Sequence, residues 1–191
     1  MKLSRLFPIF VLLVVGAIVT PYVQATEGVT LTVSYSVVDG GPKGAPAPVF
    51  HYVLNGASMS VTLTTTPTSV TADPGSLWSV PSTLGTSSNP FATERWYTFP
   101  STGNAIRFHA NLTFTYNHQY YLGLQTNNGC GKVSVDTLWP DAGQSVRIVA
   151  KPNSGCNFVS WAGTGTGSYT GTDNPAEVTM NSAITEIANF S

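Results

Sequence analysis

Strict alternation of apolar and polar residues constrains this chain more than any other feature. In "VTLTVSYSV" (29–37), Val29, Leu31, Val33, Tyr35 and Val37 alternate with Thr30, Thr32, Ser34 and Ser36. "SMSVTLTTT" (58–66) and "FHANLTFTY" (108–116) repeat the pattern. A period of two sends one set of side chains to a core and the other to solvent, as a half-buried β-strand requires. Between these runs lie turn-forming clusters: "DGGPKGAPAP" (39–48), "DPGS" (73–76), "NNGCG" (127–131), "KPNSG" (151–155) and "GTGTGSYTGTDNP" (163–175). After the first 25 residues no stretch keeps a 3.6-residue spacing through three turns. The expectation is an all-β protein made of two small sandwich-like β domains in series. Residues 26–118 suffice for about seven strands of immunoglobulin-like size, and residues 119–191 for about five more. The join, "TYNHQYYLGL" (115–124), contains no Pro/Gly-rich linker, so the two modules are expected to abut.

The first 25 residues are of another kind. Lys2 and Arg5 precede an apolar run from Leu6 to Val19, and "VQA" ends at Ala25. That layout predicts a cleaved secretory signal peptide at 1–25, the run being short for a membrane-spanning helix. The chain is then expected to be secreted, extracellular and cell-surface associated, with no membrane span after cleavage and no lipid signal.

Charge is scarce. Charged residues make up 9% of the chain, against about 25% in ordinary globular proteins. The 8 Lys and Arg are balanced by 9 Asp and Glu. No basic patch exists to displace counterions from a phosphate backbone, which excludes nucleic acid as an expected partner. Aromatics at 11% argue for a folded chain rather than a disordered one. A surface built from Ser, Thr, Asn and Gln loses little when carboxylates protonate, which suits an acidic exterior.

From residue 120 onward the sequence carries a recognisable order of pieces: "YYLGL", "GKV", "DAGQSV", "AKPNSGCNFVSWAG", "NPAEVTM" and a closing "ANF". In that order they resemble the divergent internalin-type B-repeat of secreted prokaryotic proteins. The first module, with "GSLWSVPSTL", "ERWYTF" and "NLTFTYNHQYYL", is similar to β modules of archaeal secreted surface proteins. The resemblance implies an extracellular, non-catalytic structural or adhesive part with Trp161 in a core, and it extends to thread-type filaments whose subunits exchange N-terminal strands. On the residues alone, Asp141-Ala142-Gly143 reads as a turn, after which Val146, Ile148 and Ala150 face one side. Phe158 and Trp161, three apart, cannot share one face of a regular strand, so a bulge or a strand end is expected near Ser160.

Cys130 and Cys156 are the only cysteines. Two cysteines in an exported chain are expected to form a disulfide; free thiols or a metal site are the alternatives, although no His lies close in sequence to complete a ligand set. His51, His109 and His118 read as strand or surface residues. Asp39, Asp73, Asp141 and Asp173 sit beside Gly, Pro or Asn, as turn-formers do. No Asp-Thr-Gly, Asp-Ser-Gly or Gly-x-Ser-x-Gly motif occurs, so no catalytic residue, metal or cofactor is expected. An acid pair assembled only in space stays open. Glu94-Arg95-Trp96 reads as a local ion pair beside a core Trp, or as a partner contact. Two sequons, Asn111-Leu112-Thr113 and Asn189-Phe190-Ser191, mark candidate glycosylation sites, and alternation turns Asn111 toward solvent.

With no span or lipid signal expected after cleavage, subunits that hold one another are one way to stay at a surface. A strand at 29–37, followed by the flexible "DGGPKGAPAP", can leave its own sheet and complete a neighbour's, with Val29, Leu31, Val33 and Tyr35 filling the neighbour's core. A head-to-tail contact of that kind does not close, so it produces a filament. The other possibility is that the strand pairs within its own domain. Self-association, or contact with other surface proteins or glycans, is the expected partnership. A secreted carbohydrate-binding module using Trp78, Tyr97 or Trp139 is the second functional expectation.

Overall fold

A computed structural model describes residues 27–85, 93–104 and 108–191; the expected signal peptide, 1–25, lies outside them. The fold is all-β. The alternation at 29–37 becomes strand β1 (Val29–Val37), which buries Val29, Leu31 and Val33 and leaves Tyr35 half-buried against the same core. A 3-10 turn, Val38–Gly40, follows it. Next come β2 (Val49–Leu54), β3 (Ala57–Thr62), β4 (Thr68–Ala72), β5 (Leu77–Ser79), β6 (Thr83–Leu84), β7 (Glu94–Tyr97), β8 (Thr102–Asn104) and β9 (Ala110–Tyr120). They form a five-stranded sheet, β4-β1-β9-β7-β6, and a four-stranded sheet, β3-β2-β5-β8. The first module thus has nine described strands where about seven were expected; one of the additional strands arises where "LWSVPSTL" is cut at Pro81 into two short pieces. Proline has no N–H to donate to a ladder.

The two sheets enclose a core of Leu31, Val33, Phe50, Leu63, Trp78, Phe114 and Tyr116, among others. Burying each such side chain is worth about 1.5–3 kcal/mol. Phe50, Trp78 and Phe114 pack as a ring cluster with centroids 5.3–6.0 Å apart. Tyr116 donates to the Pro81 carbonyl at 2.7 Å, and burial pushes its phenol up to about 12.

The second module contains β10 (Leu122–Thr126), β11 (Gly131–Ser134), β12 (Ser145–Pro152), β13 (Phe158–Thr164), β14 (Ala176–Thr179) and β15 (Ile184–Phe190). Six strands, one more than expected, make two three-stranded sheets, β10-β15-β13 and β11-β12-β14. Val146, Ile148 and Ala150 face inward together with Trp161, Val178 and Met180. The ladder between β13 and β15 shifts register between Phe158 and Ser160, and this irregularity brings both Phe158 and Trp161 onto the core. Gly143 takes φ 78° in its turn, and its N–H donates to Met180 at 2.9 Å.

The boundary expected at 118 falls inside β9. Phe114 and Tyr116 belong to the first core, whereas Tyr120 packs against the second. One strand runs past the join without a break.

Candidate functional site

Cys130 and Cys156 are joined in a disulfide, Cα atoms 5.9 Å apart. It ties the turn after β10 to the turn before β13, and Asn153 reinforces it by donating its backbone N–H to Cys130 O at 2.9 Å. Asn111 is exposed on the outer face of β9. Asn189 is half-buried in β15, the middle strand of its sheet, and its amide donates to Ser160 Oγ at 3.2 Å.

Three corrections follow from the geometry. Glu94 and Arg95 do not pair: neighbours on a strand point to opposite faces. Arg95 lies on the face with Tyr97 and the Trp139 ring, 4.4 Å from each centroid, and its Nε donates to Gln119 at 2.8 Å. Gln119 in turn donates to Asp141 at 2.9 Å, so Arg95 helps staple the second module to the first. Burial lowers the Arg95 pKa from its ordinary value. Second, Trp78 is buried rather than exposed; its indole donates to Asn104 O at 3.0 Å. Third, the Tyr97 and Trp139 rings are each faced by the Arg95 guanidinium, which occupies a face that a sugar would stack on.

His118, expected as a strand or surface residue, is a strand residue and a buried member of β9. Its ring lies 4.1 Å from Trp96, nearly parallel, and 4.5 Å from Tyr120. Nδ1 is 3.2 Å from an Asp39 carboxylate oxygen and Nε2 is 3.4 Å from Glu94. Asp39 belongs to the turn directly after β1, where it takes φ 55°. The Trp96 indole donates to Val38 O at 2.8 Å. Together these groups form a clasp over the exit of β1. Both imidazole nitrogens face carboxylates, which suits joining three segments better than presenting a base to a substrate. "NHQ" gave no sign of this; the only signal available was the alternation that puts His118 on the same face as Phe114 and Tyr116.

Glu186 was also missed. It lies on the core face of β15 with Ile184, Ala188 and Phe190, and is fully buried. One carboxylate oxygen accepts the Tyr169 N–H at 2.7 Å, and the other has no protein partner. Burial raises its pKa, with the Tyr169 N–H opposing in part. Gly163 lies beneath it, where a Cβ would strike both the carboxylate and the chain at Ser168 and Tyr169. The alternation in "ITEIANF" was the available signal, since it places Glu186 with the apolar residues.

Two more features are relevant to association. The strand-exchange residues Val29, Leu31, Val33 and Tyr35 lie in their own domain, β1 pairing β4 on one side and β9 on the other. Ser34 and Ser36 meet Thr113 and Thr115 of β9 at 3.2 and 3.0 Å. Also, β9 pairs β1 along Ala110–Tyr116, and among the described residues its other edge pairs β7 at Asn117–Tyr120 and has no strand partner along Ala110–Tyr116. Beside the unpaired length is a cavity of about 340 Å³ reached by Trp78, Phe99, Pro100 and Phe114. Phe99 is 82% exposed.

Among the described residues, no three His, Cys, Asp or Glu side chains gather as a metal site, and no helix is long and apolar enough to cross a membrane. Residues 122–191 match the family model of the divergent InlB B-repeat domain. No curated protein and no solved structure matches the chain. The B-repeat match suggests a surface or structural module, and with the disulfide it is consistent with an extracellular protein.

Proposed function

We propose that the chain is a non-catalytic, secreted cell-surface structural protein whose copies assemble into a filament by exchanging β1. The reading takes residues 1–25 as a removed signal peptide. The observation that carries it is the combination of a deeply buried β1 with the segment that follows: Gly40, Gly41 and Gly44 all take φ near 75°, and Pro42, Pro46 and Pro48 punctuate the same stretch. Glycine adopts that geometry without steric cost, so the segment tolerates more than one path. Exchange remakes every β1 contact with a neighbour's β4 and β9, and the cost is confined to opening the clasp at Val38 and Asp39.

An adhesive role is compatible with the same assembly, and surface glycans or other surface proteins are the partners it implies. Pull-down on cell-surface glycans tests that part. Electron microscopy of the purified protein lacking residues 1–25 tests the assembly: the reading expects filaments, and a field of single particles at every concentration contradicts it.

A further inference from the structure

A sheet edge left open beside a cavity invites a strand, and the fold itself offers a matching one. In the order β4-β1-β9-β7-β6, the outer edge of β4 and the unpaired edge of β9 face opposite ways. Among the described residues, neither β4 beyond β1 nor β9 along Ala110–Tyr116 beyond β1 has a strand partner. Natural edges are usually blunted by a charge, a proline or a bulge. Here β4 reads "TSVTA" and the open part of β9 "ANLTFTY", with none of these.

Orientation also agrees. β4 runs antiparallel to β1, and β1 parallel to β9, so a copy displaced sideways brings its β4 antiparallel to β9. The second sheet behaves alike. β3 is one of its edges and β8 the other, and three successive antiparallel pairings make them antiparallel. β3, "ASMSVT", is uncharged and almost wholly exposed. Asp73, directly after β4, accepts the N–H groups of Asn55 and Gly56 in the β2–β3 turn at 2.8 Å. That bond places the β3 and β4 edges on one side of the sandwich. Phe99 and Pro100, which lead into β8, line the cavity along β9, so β8 and the open edge share the other side.

We infer that β4 of one copy pairs antiparallel with the open edge of β9 in the next, while its β3 meets the next copy's β8, so that copies add head to tail through their first modules. The contact rests on the reading of the chain as a self-associating subunit, but uses a different surface from β1 exchange.

The test blocks each edge with charge at exposed positions. One variant carries Ser69→Lys with Thr71→Lys on β4, and the other Thr113→Lys with Thr115→Lys on β9. Circular dichroism melts check folding, and the single changes Thr71→Lys and Thr115→Lys replace a pair that does not fold. In sedimentation velocity, wild type is expected to grow past dimer with concentration. Each variant alone is expected to weaken association at least tenfold. An equimolar mixture is expected to form dimers and stop, because each copy retains one good edge and the two good edges are complementary. A blocked variant that assembles like wild type, or a mixture that stays monomeric or grows past dimer, overturns the inference. Thr113 and Thr115 also bond Ser34 and Ser36 of β1, so the β4 variant separates the two routes. Ser69 and Thr71 are exposed, and assembly by β1 exchange alone survives that block, an outcome that sinks edge pairing and spares the exchange reading. A wild type that stays monomeric throughout sinks both.

Discussion

The imidazole of His118 lies on the indole of Trp96, centroids 4.1 Å apart and planes 7° from parallel, while the same indole holds the backbone at Val38. One stacked pair therefore joins β7, β9 and the exit of β1. His118→Ala removes the stack and both carboxylate contacts. A loss of about 2–3 kcal/mol of stability is expected in urea unfolding. Opening of β1 should increase with it, read as faster hydrogen exchange at Leu31 and Val33 than at Ile148. Equal protection of both cores in the variant contradicts the clasp.

Glu186 makes the second module sensitive to pH in a direction that can be derived. Its pKa is raised in the folded state, so the folded chain holds the proton more tightly than the unfolded one. The associated stability is fully present below the ordinary carboxylate value and is lost as pH rises through the folded value. Acidification from neutral pH should therefore raise the melting temperature. Glu186→Gln keeps the shape without the ionisation, and is expected to flatten the profile above the ordinary carboxylate range. A wild-type melting temperature that rises with pH there, or a profile the substitution leaves unchanged, contradicts this.

The disulfide closes a span of 26 residues. Loop closure of that length is worth about 3–4 kcal/mol. Cys130→Ser with Cys156→Ser should lower the stability of the second module by that order, and that of the first far less. Calorimetry of the full chain, read beside tryptophan emission from both modules, separates the two effects.

Glycan mapping should find Asn111 and not Asn189. The first is exposed on the face of β9 away from the core; the second is half-buried and spends its amide on Ser160. Peptide mass spectrometry of protein from a glycosylating host reads both sites. Occupancy at Asn189 in folded protein contradicts the assignment.

The sequence showed most of the strands and little of what joins them. Period two at Val29–Val37 and at Ala110–Tyr116 revealed which side chains are inside, because alternation is a local property. Pairing is not local: nothing in "VTLTVSYSV" states that β1 lies between β4 and β9. Glu94-Arg95-Trp96 was legible as a charged-aromatic group, but its partners come from His118, Gln119 and Trp139, which only the fold brings near. Pattern did carry Glu186, whose place among Ile184, Ala188 and Phe190 is written in the alternation. Its acidity is what hides it, because a carboxylate is rarely found in a core. The open edge of β9 had no sequence signal at all, since it arises where β7 ends at Tyr97 and the chain turns to the other sheet.

The central claim is that β1 of one copy completes the sheet of another, and Ser34 and Thr113 can report which copy it joins. Their hydroxyls are 3.2 Å apart across β1 and β9, and the native cysteines are already bonded to each other. Ser34→Cys with Thr113→Cys, assembled at high concentration and then oxidised, should give a ladder of covalent multimers on a non-reducing denaturing gel. Each new bond would join the thiol introduced on β1 of one copy to the thiol introduced on β9 of the next. Complete cross-linking within single chains, with every molecule running as a monomer, means that β1 stays in its own domain and contradicts the account.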